Sequence, residues 1–297
     1  MTEAEVIALF DRCSNRGRWG PDDELGTLNL ITPEKRLAAL AGVRAGRCVS
    51  IGRDLVTHGS RHSPPSAVHL MTYGGHQPTG AQDALLLVPH GFEVTHMDAL
   101  AHAYFEGGVY NGRSATDAVP RDGIAFGSIH AARDGIVTRG VLLDVPAALG
   151  VEHLEPGDGI GVGDLEAAER LAGVRVEPGD VVVVRSGLDR REALHGFGPV
   201  EPREGLLPDA VLWLHEREVA VFSGDCIERL PSGYPRVPMP LHQIGLVAMG
   251  LMILDATDVE SLRNLCRDEA RNDFLFVASP LRLPGGSGSP VNPLVVF

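Results

Sequence analysis

The sequence predicts an α+β fold, with a mixed sheet and surrounding helices in one domain of 297 residues. From residue 47 onward, short apolar runs bounded by Gly, Pro or Asp are typical of strands. Between them lie segments that begin with helix-capping residues and are typical of helices. The two kinds of segment do not follow the regular spacing of βαβ units. The chain is long enough to bury a large core, and no repeat or linker divides it.

The first part of the chain, residues 1–45, is predicted to be a helical and loop extension packed on the single domain 1–297. Residues 2–13 have the pattern of a short amphipathic helix. The segment Asn15–Leu30 is rich in Gly, Pro, Asp and Trp and is predicted to be an ordered surface loop. Thr32 and the proline after it are typical helix-start residues, so a helix is predicted up to about Ala41.

The rest of the chain is predicted to contain strands and helices in irregular order. Strands are predicted over Cys48–Ile51, Ala84–Val88, Val141–Leu143, Val181–Val184, Val219–Phe222 and Leu251–Leu254. Helices are predicted over Leu165–Leu171, Pro208–Glu216, His242–Gly250 and Asp258–Cys266. The glycine-rich stretch Gly285–Pro290 is predicted to be a tight loop, because neither a Lys-Ser/Thr pair nor a helix follows it, as a phosphate-binding loop requires.

Composition restricts the class of partner. The net charge of -13 argues against nucleic acid, because proteins that bind it usually present a basic face. Four scattered cysteines without a CxxC pair are typical of reduced thiols in a cytoplasmic protein. The N-terminus lacks the basic and apolar regions of a signal peptide, and no apolar run approaches the ~20 residues of a membrane span. We therefore expect a cytoplasmic protein that binds a small molecule and neither nucleic acid nor a membrane.

Three histidines and an aspartate crowd the segment from His90 to His102. Side chains two residues apart on a strand share a face, so His96 and Asp98 are predicted to project together, as a metal site requires. Buried acids are rare unless they are paired or bind metal. His102 follows in the predicted turn, and a histidine beside a metal is a natural general acid or base. The alternative interpretation is a set of hydrogen-bonded core groups.

A second pair of polar residues, His242 and Asp255, lies where a predicted helix begins and where the next strand ends. Both are expected to reach one end of the fold, although capping and packing explain them equally well. Four aromatic residues near the His90–His102 segment are candidates for an apolar wall of a substrate pocket or for core packing. These aromatic residues are Phe92, Tyr104, Phe105 and Tyr110.

With these residues identified, the chain resembles the metal-dependent cyclase family, which includes bacterial kynurenine formamidase, isatin hydrolase and certain dienelactone hydrolases. The resemblance extends nearly from end to end and rests on several motifs in order. These motifs are Trp19–Asn29, Thr95–His102, Tyr110–Gly112, Arg139–Asp144, Pro178–Gly187 and Pro280–Pro293.

The resemblance implies a set of site residues. The family pattern His-x-Gly-Thr-His-x-Asp-x-x-x-His places metal ligands at His96 and Asp98 and the acid/base at His102. Its distant His and Glu correspond to His242 and Asp255, with Asp in place of Glu. The first histidine of the pattern falls on Phe92. His90, two residues earlier and of the same strand parity, is therefore a possible substitute ligand.

The resemblance also implies a swivelling β/β/α fold, a divalent metal such as zinc or manganese, and assembly as a homodimer or homotetramer. The leading hypothesis for function is hydrolysis of a cyclic or acyl C–N or C–O bond in a lactone, amide or formamide. Metal-activated water would attack the carbonyl, with His102 as general acid/base.

Two alternatives remain open from the sequence. The site is also compatible with a cyclase, dehydratase or isomerase that acts on an aromatic or polyketide-like precursor without a hydrolytic metal. A binding module that keeps only the fold is the third hypothesis. Substrate specificity is expected to lie in loops such as Gly59–Gly80. In and beside that segment, four histidines have no assigned role: His58, His62, His69 and His76.

Overall fold

A computed structural model of the chain describes residues 1–57, 66–73 and 79–297. The helices are α1 (Glu3–Ile7), α2 (Leu9–Arg12), α3 (Pro33–Ala41), α4 (Ala115–Ala118), α5 (Val145–Leu149), α6 (Val162–Ala172), α7 (Leu188–His195), α8 (Pro208–Glu216), α9 (Pro240–His242) and α10 (Val259–Glu269). The strands are β1 (Cys48–Ser50), β2 (Ala67–Tyr73), β3 (Ala81–Leu87), β4 (His96–Asp98), β5 (Ile136–Asp144), β6 (Gly159–Ile160), β7 (Val181–Arg185), β8 (Gly205–Leu206), β9 (Val221–Gly224), β10 (Met252–Asp255), β11 (Asp273–Ala278), β12 (Gly288–Pro290) and β13 (Leu294–Val296).

The architecture centres on a mixed sheet. In the described part of the chain it has nine strands in the order β1-β13-β11-β5-β7-β9-β10-β4-β12. The four central strands β5, β7, β9 and β10 are parallel, and the strands outside them pair antiparallel. All five residues of β7 are buried. A valine run of this kind fits a parallel strand that is covered on both faces. The predicted α+β class with a mixed sheet is thus confirmed.

Most predicted elements are present with small changes in their ends. α8 has the predicted bounds, and α3 is capped by the Thr32 side chain, which accepts a hydrogen bond from the Lys35 N–H. The helix predicted over residues 2–13 is two short helices that meet at Ala8. The strand predicted over Val219–Phe222 is shifted by two residues, to β9. The helix predicted from His242 begins at Pro240 and continues from Gln243 to Met249 as a π-helix.

The prediction of a loop over Gly59–Gly80 is wrong for part of that segment, because β2 lies in it. β2 and β3 form a separate two-stranded antiparallel sheet with seven paired positions. Leu70 and Met71 interrupt the alternation of polar and apolar residues along β2, which weakens the strand signal in the sequence. Cross-strand partners share a face, so Val68, Leu70 and Leu86 form one apolar face of this hairpin. All three are exposed, Leu86 by 69%.

The N-terminal segment is fastened to the body of the protein by backbone contacts. The Asn15 side chain donates to the Met249 carbonyl, and the Thr27 hydroxyl donates to the Ala220 carbonyl. Gly26 has a positive φ of 57° and lies so close to Gly250 that a Cβ would meet the Gly250 oxygen at 2.0 Å. Only glycine fits such a left-handed close approach.

Two further properties concern the whole described chain. All four cysteines are free, and Cys13, Cys226 and Cys266 are buried. Among the described residues, none of the helices combines the length and apolar character needed to cross a membrane.

Candidate metal centre and active site

The site is built around β4, a three-residue strand between β10 and β12. His96 and Asp98 project from the same face of β4, as predicted, and His96 Nε2 lies 3.4 Å from Asp98 Oδ1. Asp98 is fully buried. A carboxylate in such a position is costly unless it meets donors or cations.

Three more histidines meet the Asp98 carboxylate. His90 Nδ1 lies 2.9 Å from Oδ1, and His102 Nε2 lies 3.9 Å from the same oxygen. His242 Nε2 lies 3.4 Å from Oδ2. The rings of His90 and His102 stack with their centroids 4.0 Å apart. The structure therefore gathers His90, His96, His102 and His242 around one buried acid.

Hydrogen bonds fix the ring orientation of the two buried histidines. His96 Nδ1 lies 2.8 Å from the Val94 carbonyl oxygen. His242 Nδ1 lies 2.9 and 3.0 Å from the two carboxylate oxygens of Glu228. A carbonyl and a carboxylate only accept hydrogen bonds, so both Nδ1 atoms carry the proton. Each Nε2 is then the ring nitrogen that faces Asp98 and the one that a metal would take up.

This arrangement fits a divalent cation. Asp98 Oδ2 is buried and has no hydrogen-bond partner in the described part of the chain. The two Nε2–oxygen distances of 3.4 Å are long for hydrogen bonds. They match the spacing of about 3.4 Å between neighbouring donors on a tetrahedral zinc at ~2.0–2.1 Å. His96 Nε2 and His242 Nε2 thus each lie at the spacing of neighbouring ligands from Asp98, one from each oxygen of its carboxylate.

A second grouping shares Asp98. The donor atoms of His90, Asp98 and His102 all lie within 4.8 Å of one another. In this group, however, His90 Nδ1 faces a carboxylate oxygen at hydrogen-bond distance and so carries the proton toward Asp98. His96 and His242 instead direct Nε2 to Asp98, while their Nδ1 is held by another acceptor. On this ground we prefer His96 and His242 as the inner ligands, with His90 as a further neighbour of the acid.

Asp255 lies at the edge of the same cluster. It is directly opposite His96 in the antiparallel pair of β10 and β4, so the two side chains share a face. Asp255 is buried, and its Oδ1 accepts a hydrogen bond of 2.6 Å from the Ala256 N–H. Burial raises the pKa of Asp255, and the charge of Asp98 adds to this against the opposing effect of His96 and His242.

The charges of the cluster are strongly coupled. Burial alone would raise the pKa of Asp98, but the interactions of its carboxylate with the His242, His90 and His96 rings outweigh it and hold the pKa well below its usual range. Asp98 is therefore ionised. Burial, reinforced by the other histidines and opposed by Asp98, lowers the pKa of His102 to about 4. His102 is consequently a neutral imidazole at neutral pH, with a lone pair that can accept a proton.

The lack of a side chain at Gly288 makes room for the His90 ring. His90 Nε2 lies 3.0 Å from the Ser287 hydroxyl. At Gly288, which pairs with Asp98 across β12 and β4, a Cβ would lie 2.6 Å from His90 Cε1 and 2.8 Å from the Met97 oxygen. The absence of a side chain at residue 288 therefore leaves the space in which the His90 ring reaches Asp98. The predicted tight loop at Gly285–Pro290 ends in β12 and contributes to the site through this contact.

Two of the four candidate aromatic residues lie near residues of the cluster. Phe92, at the position of the family histidine, is partly buried, and the guanidinium of Arg203 lies 4.1 Å from the centroid of its ring. Tyr104 is exposed, and its carbonyl accepts a hydrogen bond from Gln243, the residue after His242. A role for either in a substrate pocket stays a prediction.

The other two aromatic residues pack against the N-terminal extension. Phe105 stacks on Phe10 with the ring centroids 3.7 Å apart. Tyr110 is buried, and its hydroxyl donates to Asp23 at 3.0 Å. These contacts account for both residues by packing.

Sequence reasoning missed Glu228, Ser287 and the role of Gly288. Glu228 has no local sequence signal, because its partner His242 lies 14 residues away on another element. Of the four unassigned histidines, His69 pairs with Asp83 on the exposed hairpin. His58, His62 and His76 lie outside the described residues.

The fold combines a mixed sheet with a buried carboxylate that several histidines surround. Comparison with known proteins gives the family to which it belongs. The family model described as "Cyclase" matches residues 58–228, more than half of the chain. The chain therefore belongs to the cyclase family. The matched range includes His90, His96, Asp98 and His102 but ends before His242, which the fold brings to the same acid. A comparison with curated protein sequences finds no match.

Solved structures share the fold. A crystal structure described as that of a novel cyclase is 29% identical, with a TM-score of 0.84 over 96% of this chain and 99% of that one. An isatin hydrolase bound to the product analogue thioisatinate is 19% identical, with a TM-score of 0.61 over 90% and 99%. A potential metal-dependent hydrolase with cyclase activity is 15% identical, with a TM-score of 0.52 over 85% and 100%. The predicted cyclase-like fold is thus confirmed.

The space at residue 288 gives a first prediction. Gly288→Ala places a methyl group against His90 and the Met97 carbonyl, so we expect the free energy of unfolding to fall by about 1–3 kcal/mol. Urea unfolding measures this. Gly163→Ala, where a Cβ meets nothing within 4 Å, is the matched control and should change stability by less than about 1 kcal/mol. His90→Ala combined with Gly288→Ala should recover part of the loss. Strictly additive effects of the two changes would contradict the contact.

Proposed function

We propose that this protein is a metal-dependent hydrolase that acts on a cyclic or acyl C–N or C–O bond, in a lactone, amide or formamide. One observation carries the proposal. The fully buried Asp98 has histidine nitrogens around both oxygens, and Oδ2 has no hydrogen-bond partner among the described residues. The fold likeness to an isatin hydrolase and to a potential metal-dependent hydrolase supports the same reaction class.

The proposed ligands are His96, Asp98, His242 and Asp255. His90, the possible substitute for the histidine that the family pattern has at Phe92, contacts Asp98 from outside this set. Imidazole and carboxylate donors suit zinc and also manganese. When bound, a divalent cation supplies Lewis-acid polarisation of a carbonyl and lowers the pKa of water from 15.7 to about 7. Asp98 remains ionised and contributes the negative charge that holds the cation.

His102 is proposed as the general acid/base. Its side chain is 27% exposed, whereas Asp98 beneath it is fully buried, so it lies on the side from which substrate can approach. Because its pKa is lowered to about 4, the ring is neutral at neutral pH and can accept the proton of the attacking water. The protonated ring then returns that proton to the leaving nitrogen or oxygen as the C–N or C–O bond breaks. Such proton transfer contributes about 10²–10⁴-fold in rate.

The first test is metal content. After incubation with zinc or manganese, the purified wild type should contain a near-stoichiometric metal by elemental mass spectrometry. His96→Ala and Asp98→Ala should each lose most of it, because each removes an inner ligand. His69→Ala on the exposed hairpin is the control and should keep it. A wild type that stays free of both metals would overturn the proposal, and activity that survives chelators would then favour the acid/base cyclase or isomerase.

The second test separates His102 from the ligands. His102→Ala should keep its metal and lose about 10²–10⁴-fold in kcat on a lactone or aryl amide that the wild type hydrolyses. The measurement pairs steady-state kinetics with elemental analysis of the same sample. If this variant instead loses the metal, His102 belongs to the ligand set with His90 and Asp98, and its assignment as acid/base is wrong.

We also propose that the chain forms a homodimer or homotetramer through the β2–β3 hairpin. A two-stranded sheet is marginally stable alone, and one face of this one is apolar and exposed. A contact between identical faces needs a self-complementary patch. The net charge of -13 opposes contact between two copies of the chain through charged surfaces. The hairpin face carries no charge, because it consists of Val68, Leu70, Ala84 and Leu86.

Light scattering after size-exclusion chromatography tests this assembly. Leu70→Glu combined with Leu86→Glu places like charges across the contact, so the measured mass should fall toward that of one chain, 31.6 kDa. Leu171→Glu on α6, at a leucine that is 60% exposed, is the control and should leave the mass unchanged. A wild type that already elutes with the mass of one chain would refute the assembly.

A further inference from the structure

Glu228 is a buried acid that binds His242 at three points. Both of its carboxylate oxygens lie within 3.0 Å of His242 Nδ1, and Oε2 also accepts the His242 backbone N–H at 3.1 Å. The side chain is 1% exposed. Glu228 thus fixes both the backbone of α9 at His242 and the orientation of the His242 ring.

We propose that Glu228 is the positioning residue of the metal centre: it holds His242 with the proton on Nδ1 and the Nε2 lone pair directed at the cation. The inference rests on the proposed metal-dependent function. A carboxylate behind an imidazole fixes the tautomer and the ring orientation and makes the ring a stronger donor. Among the described residues, the hydrogen bonds of the Glu228 carboxylate go to His242 and none goes to Asp98.

The two inner histidines, His96 and His242, differ in the group that accepts the hydrogen bond from their Nδ1. His96 is oriented by the Val94 carbonyl, a neutral acceptor two residues away on its own chain segment. His242 is oriented by an anion. Charge-assisted hydrogen bonds are roughly twice as strong as neutral ones, so His242 is the more firmly held and the more basic of the pair. We therefore expect metal affinity to depend more on the acid behind His242 than on any other group outside the ligand set.

Glu204 offers a matched control in the neighbouring segment. It is as buried as Glu228, but neither of its carboxylate oxygens has a hydrogen-bond partner among the described residues. Glu204→Gln and Glu228→Gln therefore make the same isosteric change at two buried acids, and only one of these acids holds a histidine.

The experiment measures zinc affinity of the full chain by competition with a chromophoric chelator, for wild type, Glu228→Gln and Glu204→Gln. We expect Glu228→Gln to weaken zinc binding about 10–100-fold and Glu204→Gln to leave it within about twofold. Thermal unfolding of each metal-free variant is recorded in parallel. A purely structural role for Glu228 would lower stability without changing the affinity of the folded protein.

A second measurement needs no metal. In 15N-histidine NMR of the metal-free protein, the His242 Nδ1 proton should lie far downfield in wild type and in Glu204→Gln because a carboxylate accepts it, and it should move upfield in Glu228→Gln, where the acceptor is neutral. The His242→Asn spectrum assigns the signal.

The outcomes are distinguishable. Wild type without zinc affinity would refute the proposed function, and the positioning of a metal ligand would be refuted with it even if the NMR result holds. Wild type that binds zinc, with Glu228→Gln binding equally well, would overturn this inference alone. Equal losses in both variants would also overturn it, because the effect would then belong to buried charge in general.

Discussion

A carboxylate without water around it must be surrounded by donors or cations, and Asp98 imposes this constraint on the rest of the site. It is fully buried on a three-residue strand in the sheet. The histidines that meet it come from a bend before β4, from β4 itself, from the turn after it, and from the distant helix α9. The fold must bring these segments together before Asp98 can be buried, so the geometry of the cluster and the closure of this side of the sheet depend on each other.

The sequence predicted the local half of this arrangement. His96 and Asp98 share a face because side chains two apart on a strand always do, and His102 follows at the distance of one turn. The valine run of β7, preceded by turn residues, predicted a buried strand, and the structure shows that this strand is parallel to its neighbours. Each of these inferences uses contacts within a few residues, where spacing alone determines proximity.

The other half depends on contacts that spacing does not encode. Glu228 meets His242 over 14 residues, and Ser287 meets His90 over 197. Neither partner stands in a recognisable motif, and only the crossing of β12 beside β4 and the packing of α9 establish the pairs. Only one strand of the hairpin was missed: the predicted strand Ala84–Val88 overlaps β3, whereas β2, whose partner lies across the turn, was placed in a loop.

Phe92 stands where the family pattern has a histidine, and the ring of His90 reaches Asp98 instead. On a regular strand, His90 would lie about 26 Å from Asp98, eight residues away, and could not approach it. Here residues 90–94 are a bend, and the ring folds back onto the carboxylate over the open space at Gly288. The change in the bend before β4 is therefore matched by the absence of a side chain at Gly288 on β12, while the guanidinium of Arg203 covers the face of Phe92.

The four histidines around Asp98 also differ in their exposure to solvent. His96 and His242 are buried, with one nitrogen of each ring held by an acceptor, so their rings cannot turn without breaking a hydrogen bond. The His90 and His102 side chains are 26% and 27% exposed and stack on each other at the open side. In the proposed function this separation has a physical reason. Ligands must hold fixed lone pairs in a water-poor environment, whereas an acid/base must exchange its proton with substrate and solvent in every turnover. Asp98 joins the two sides, because one of its oxygens faces the outer pair together with His96, and the other faces His242 alone.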